Sequence, residues 1–212
     1  VTGVRTRFLH TAEVAAGLLA EPDLADAWDE QSALEAFTVG GLAAHLASQI
    51  TTAAEALEAD HTGKEVIGLY DHYDRAAWLA ADIAGEANTR IRDRSEQAAE
   101  AGPAAVAAEA DRTLADLRRR LPDLGAEAIG GNPAWPYTTS YDHFLTTRIM
   151  ELVVHADDLA VSLGIATPEF DEDAFAAAAA VLTRLSARRH GQSALVRALA
   201  RAERAPVDIT AL

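Results

Sequence analysis

Apolar residues recur at helical spacing from the start of the chain. Val4, Phe8, Val14, Leu18 and Leu19 follow a period near 3.6 and predict a helix over 4–20 that stops at Glu21-Pro22. A polar link runs through Trp28 to Phe37. Thr38 then stands where a hydroxyl can cap a helix carrying Val39, Leu42, Ala43, Leu46 and Ile50. Gly63 and Gly68 mark 60–68 as a loop. Trp78, Leu79, Ile83 and Ala87 predict another helical stretch. Gly102-Pro103 separates 91–101 from a helix through Val106, Leu114, Leu117 and Leu121, with the proline suited to its first turn.

Between Leu121 and Tyr141, Pro122, Gly125, Gly130-Gly131, Pro133 and Pro136 predict a long loop. Trp135 and Tyr137 give it the aromatic content of a binding element or lid. The pattern over 142–163 is strongly helical, and Gly164 is placed for a left-handed cap. A last pair of helices is predicted over 171–189 and 192–202, the first including the alanine run 176–180. No internal repeat is visible. The expected architecture is all-α: a four-helix bundle over 1–165 with a short C-terminal helical extension, 166–212, packed on it.

Composition agrees with helices. Half of the residues are hydrophobic, Ala dominates them and aromatics make up 6%, which favours closely packed helices over a sheet sandwich. The 212 residues suffice for one principal domain. A formal charge of −15 argues against nucleic acid and against an anionic membrane surface as partners. The most apolar run, 174–182, is too short to cross a bilayer, and the N-terminus shows no basic segment followed by an apolar one, so a cytoplasmic protein is expected. The absence of cysteine excludes disulfides, thiolate ligands and a protein thiol nucleophile. Any thiol chemistry needs a thiol from outside.

The chemistry concentrates in Thr147-Arg148-Ile149-Met150-Glu151-Leu152-Val153-Val154-His155-Ala156-Asp157-Asp158-Leu159. Glu151 and His155 are four apart and lie about 40° from each other on one helix face. Such a pair arises about once by chance in a chain of this composition. Its apolar setting is the informative part, because an ionised Glu there carries a desolvation cost of several kcal/mol unless paired or metal-bound. His45 is a second histidine in apolar surroundings, Val39-Gly40-Gly41-Leu42-Ala43-Ala44-His45-Leu46-Ala47. Bundles build metal sites from side chains projecting inward from facing helices, so His45, Glu151 and His155 form a candidate set with open coordination positions. Blander readings stand beside it: a hydrogen-bonded core histidine at 45, a Glu151–Arg148 pair, and a His155–Asp158 hydrogen bond. His61, His72, His143 and His190 lie in or beside loops and helix ends and are expected to be solvated.

Two segments carry a family resemblance. Phe37-Thr38-Val39-Gly40-Gly41-Leu42-Ala43-Ala44-His45-Leu46 resembles the W-T-V-x-D-L-x-x-H-L signature of the mycothiol-dependent maleylpyruvate isomerase family, and 148–160 resembles its R-x-x-E-x-x-V-H-x-x-D-L-A segment. Trp28-Asp29-Glu30-Gln31-Ser32-Ala33-Leu34 resembles the preceding loop. The resemblance implies a DinB-like metal-binding four-helix bundle whose metal, usually zinc, is held at His45, Glu151 and His155. Iron and nickel also suit two imidazoles and a carboxylate. Phe37 replaces the usual Trp, and Gly41 replaces the usual Asp, so the family's carboxylate near the first ligand is missing.

The function this implies is a metal-dependent enzyme that uses a low-molecular-weight thiol such as mycothiol, either to transfer sulfur to a small electrophile or to isomerise one. An open divalent site binds the thiol as thiolate and lowers its pKa. Arg90, Arg94 and Arg148 are candidates to hold an anionic group of substrate or cosubstrate, and Trp135 and Tyr137 to wall the pocket. The alternatives are a hydrolase working through metal-activated water and a non-catalytic small-molecule binding or stress protein of the same fold. A monomer or a homodimer fits either reading.

Overall fold

The computed structural model describes residues 3–76, 79 and 85–212. In chain order its elements are α1 (Gly3–Leu18), α2 (Pro22–Asp26), α3 (Val39–Glu58), β1 (Glu65–Ile67), α4 (Leu69–Arg75), α5 (Glu86–Ala99), α6 (Pro103–Arg120), β2 (Ile129–Gly130), β3 (Tyr137–Ser140), α7 (Tyr141–Leu163), α8 (Glu172–His190) and α9 (Gln192–Ala200). Helix α1 packs on α6 and α7, and α3 packs on α5, α6 and α7. These helices share one core, into which α1 sends Phe8, α3 sends Leu42, Leu46 and Ile50, α6 sends Leu114 and Leu117, and α7 sends Leu145, Ile149 and Leu152. Helix α8 lies against α7, where Val181 and Leu185 meet Met150 and Tyr73 in a smaller cluster. The segment after α9 returns to α8 through a Ser186 hydroxyl hydrogen bond to the Ile209 carbonyl at 2.7 Å.

Local chemistry sets several boundaries where the sequence placed them. The Thr38 hydroxyl accepts from the Gly41 amide at 2.9 Å and caps α3. Pro103 opens α6. Gly164 closes α7 at φ 66°, a conformation open to glycine at little cost. The stretch expected through Trp78 and Ile83 falls mostly outside the described residues, and Ala87 belongs to α5, which Gly85 begins.

The all-α expectation needs one correction. Both predicted loops, 60–68 and 121–141, contribute strands to a small sheet in the order β1-β3-β2. β1 pairs parallel to β3, with Val66 opposite Thr138, and β2 pairs antiparallel to β3, with Gly130 opposite Thr139. Strands of two to four residues are too short for alternation to show in a sequence, and their hydrogen-bonding partners are remote in the chain. The sheet fixes the entry of the chain into α7.

Arg5 ties α1 to that same entry. It is 2% exposed, pairs with Asp142 at 2.9 Å and donates to the carbonyls of Leu124 and Gly125. Removing one partner of a buried, multiply hydrogen-bonded ion pair leaves polar groups without compensation. Arg5→Ala is expected to lower the unfolding free energy by about 3 kcal/mol, read from urea denaturation at unchanged m-value. A loss below about 1 kcal/mol would mean that the pair only offsets its own desolvation.

Candidate metal centre

His45 comes from α3, and Glu151 and His155 from α7, one helical turn apart. These helices face each other, so residues separated by more than a hundred positions meet. One ligating atom from each of the three side chains lies within 4.8 Å of the others. His155 Nε2 is 3.1 Å from Glu151 Oε2, and the His45 and His155 rings meet edge to face with centroids 4.6 Å apart. Three ligands at ordinary zinc distances stand about 3.4 Å from one another, so small side-chain rotations suffice to close the set on an ion.

The outer nitrogens of both rings are engaged. His155 Nδ1 lies 2.9 Å from Asp158 Oδ2, and His45 Nδ1 lies 3.2 Å from Ser95 Oγ. Each imidazole can therefore keep its proton at Nδ1 and turn Nε2 inward, the arrangement typical of metal-ligating histidines. Thus the His155–Asp158 contact weighed as a bland reading exists, and it sits alongside the Glu151 contact instead of replacing it.

Burial sets the charge of the group. Glu151 and His155 are each 9% exposed. Burial by itself would push the Glu151 carboxyl up, but its hydrogen bond with His155 and the charges of His155 and Arg148 hold it below the usual carboxylate range. Burial by itself would push His155 down, and its bonds to Asp158 and Glu151 raise it instead. His45 is pushed down to about 3, by burial first and by the neighbouring His155 charge second. The surroundings therefore favour the charged form of Glu151 and of His155 and the neutral form of His45. Two imidazoles and a carboxylate form a donor set that would fit a divalent cation, with His45, Glu151 and His155 as the residues that would hold it.

Arg148 adjoins this group. Its guanidinium donates to Gln49 Oε1 and lies over the Phe144 ring, 5.1 Å from the centroid. Gln49, 2% exposed, comes within 3.4 Å of His45 Nε2. Arg90 and Arg94 are not brought to the triad: they are exposed on α5 and face Glu86 at 3.6 Å and Glu55 at 3.8 Å. Trp135 and Tyr137 stack with centroids 5.5 Å apart, and Trp135 reaches Phe144 at 5.9 Å. The aromatic loop thus approaches the site through Phe144 and Arg148.

Two of the other histidines differ from expectation. His72 is 3% exposed, sits 4.5 Å from the Trp135 ring and shares a 3.2 Å hydrogen bond with the Tyr137 hydroxyl. Burial, with the Arg148 charge adding, pushes it down to about 4. His61 is 8% exposed, and its Nε2 donates to the Ala56 carbonyl at 3.0 Å. Flanking polarity made both look solvated, whereas the sheet and its neighbouring helices cover them. Ser95 and Gln49 were missed as well. Gln49 follows His45 by four residues on one face and was legible as a neighbour, but Ser95 lies in a polar stretch of another helix and carried no signal.

Residues 8–160 match the family described as the mycothiol maleylpyruvate isomerase N-terminal domain. The chain belongs to this family. Its mostly helical, DinB-like architecture accords with that membership. No curated protein and no solved structure gives a significant match to the chain. Among the described residues, no helix is long and apolar enough to cross a membrane.

Wild-type protein reconstituted with zinc or cobalt is expected to hold about one ion per chain, and His45→Ala, Glu151→Ala and His155→Ala to lose most of it while keeping the helical circular dichroism signal. Element analysis after gel filtration checks this. Full retention of metal by His45→Ala would remove α3 from the ligand set.

Proposed function

We propose that this protein is a metal-dependent enzyme that uses a low-molecular-weight thiol, mycothiol being the one its family points to, to isomerise a small electrophile or to transfer sulfur to it. The observation that carries the reading is the convergence of His45 with the buried Glu151 and His155, one ligating atom of each within 4.8 Å of the others, in a member of the family described as the mycothiol maleylpyruvate isomerase N-terminal domain. The chain itself has no cysteine, so the sulfur nucleophile must be brought in. A divalent ion in the site supplies the positive charge that stabilises a thiolate near neutral pH, and zinc is the first choice among ions suited to this donor set.

The chain's own residues do the remaining work. Glu151 contributes one negative charge and leaves a net positive centre for an anionic ligand. Asp158 and Ser95 hold the two imidazoles in orientation through their Nδ1 atoms. Arg148 has donors to offer an anionic group of the thiol or the acceptor if it turns from Gln49, and is the candidate of the three arginines placed to do so. The low exposure of Glu151 and His155 keeps water from competing for the nucleophile's place.

Turnover of an electrophilic substrate at pH 7 is expected to require both added thiol and metal. In the cobalt form, mycothiol should introduce a sulfur-to-metal charge-transfer band that disappears in His155→Ala. Arg148→Ala should raise the KM for an anionic thiol about tenfold or more, with a smaller change in kcat. Cobalt protein whose spectrum ignores thiols, yet hydrolyses amides or esters without them, would transfer the assignment to metal-activated water.

A further inference from the structure

We propose that Ser95 and Glu96 of α5 are a positioning pair for the metal site: Glu96 clamps α5 to the start of α3, and the clamp places the Ser95 hydroxyl to orient His45. The inference rests on the metal reading given above. Its starting point is a defect in α3. Thr38 is the N-cap, and the residue three positions on, where a capping box carries an acid that reaches back to the N-cap amide, is Gly41. A glycine cannot do this. The Glu96 carboxylate does it from outside the helix, with Oε1 accepting from the Thr38 amide at 2.8 Å and Oε2 from the Thr38 hydroxyl at 2.8 Å.

Gly41 and Glu96 are sterically complementary. A Cβ at position 41 would overlap Glu96 Oε1, so the carboxylate occupies the volume that a side chain at 41 would take. Gly40 accepts a neighbour in the same way, since a Cβ there would come within 2.6 Å of the Trp28 ring. Trp28 in turn donates to the Ala99 carbonyl at the end of α5, at 3.3 Å. The glycine pair thus receives two separate attachments to α5, a little more than one turn before His45.

Ser95 is the residue next to Glu96, and it is 6% exposed. Its hydroxyl donates to the Ile91 carbonyl at 2.9 Å, which leaves an oxygen lone pair to accept from His45 Nδ1 at 3.2 Å. That bond selects the tautomer with a bare Nε2 and aims it at Glu151 and His155. His155 obtains the same service from Asp158 on its own helix. His45 has to obtain it from a different helix, so the position of α5 relative to α3 becomes part of the site, and Glu96 is what sets that position.

The test measures zinc affinity by chelator competition and the cobalt d–d spectrum in full-length wild type and variants. Ser95→Ala is expected to bind zinc about 10- to 100-fold more weakly and to shift the cobalt bands, with its thermal midpoint near that of the wild type, while Ser95→Thr keeps both properties. Glu96→Ala should lose affinity and stability together. Adding Gly41→Asp to Glu96→Ala gives α3 a local cap and should restore the stability but not the affinity. If Ser95→Ala binds zinc within threefold of the wild type, the role of Ser95 is refuted. If the Gly41→Asp/Glu96→Ala variant regains affinity along with stability, Glu96 is only a cap. A wild type that takes up no metal overturns the metal reading and this inference with it, whereas tight wild-type binding with an unchanged Ser95→Ala overturns this inference alone.

Discussion

An ionised carboxylate in the apolar face of α7 is the interaction on which the rest depends. Glu151 lies between the buried Met150 and Leu152, on a helix whose other inward residues form the shared core. Left alone there, its charge would cost several kcal/mol, enough to offset much of what that face gains by burial. The cost is met by His155 one turn away, by the Arg148 charge and by the turn of α3 that brings His45 opposite. The helix can bury this face only if the polar group is completed, so packing and site are one problem with one solution.

That solution also sets the electrostatics of the site. Burial strengthens each electrostatic contact, so the pKa values of the neighbouring imidazoles are shifted in opposite directions, His155 raised by its two carboxylate partners and His45 lowered by burial. His45, Glu151 and His155 stand close enough that small side-chain rotations would let them hold a cation. The outer partners Asp158 and Ser95 lie on different helices, so the orientation of the two imidazoles depends on the relative placement of α3, α5 and α7.

The small sheet has a role out of proportion to its size. By pairing two loops more than seventy residues apart, it carries Tyr137 and Trp135 to His72 and, through Phe144, toward Arg148. This creates a second buried polar and aromatic group beside the candidate metal centre. It also anchors the start of α7, the element that supplies two of the three candidate ligands, where Arg5 adds the link to α1.

The sequence by itself determined whatever depends on near neighbours. The 3.6-residue period, Thr38, Pro103 and Gly164 set the helices and their ends, because caps and amphipathic faces are decided within a few residues. The spacing of Glu151 and His155 put both on one face for the same reason, and the apolar context of His45 marked it as the candidate third member of the set. Tertiary structure alone decided what depends on pairs remote in the chain. The β1–β3 register, the burial of His72 and the outward turn of Arg90 and Arg94 to acidic partners are of this kind. So is the replacement of a missing acid at Gly41 by Glu96: a carboxylate can satisfy the same amide from either helix, and only the packing of α5 on α3 determines which one supplies it.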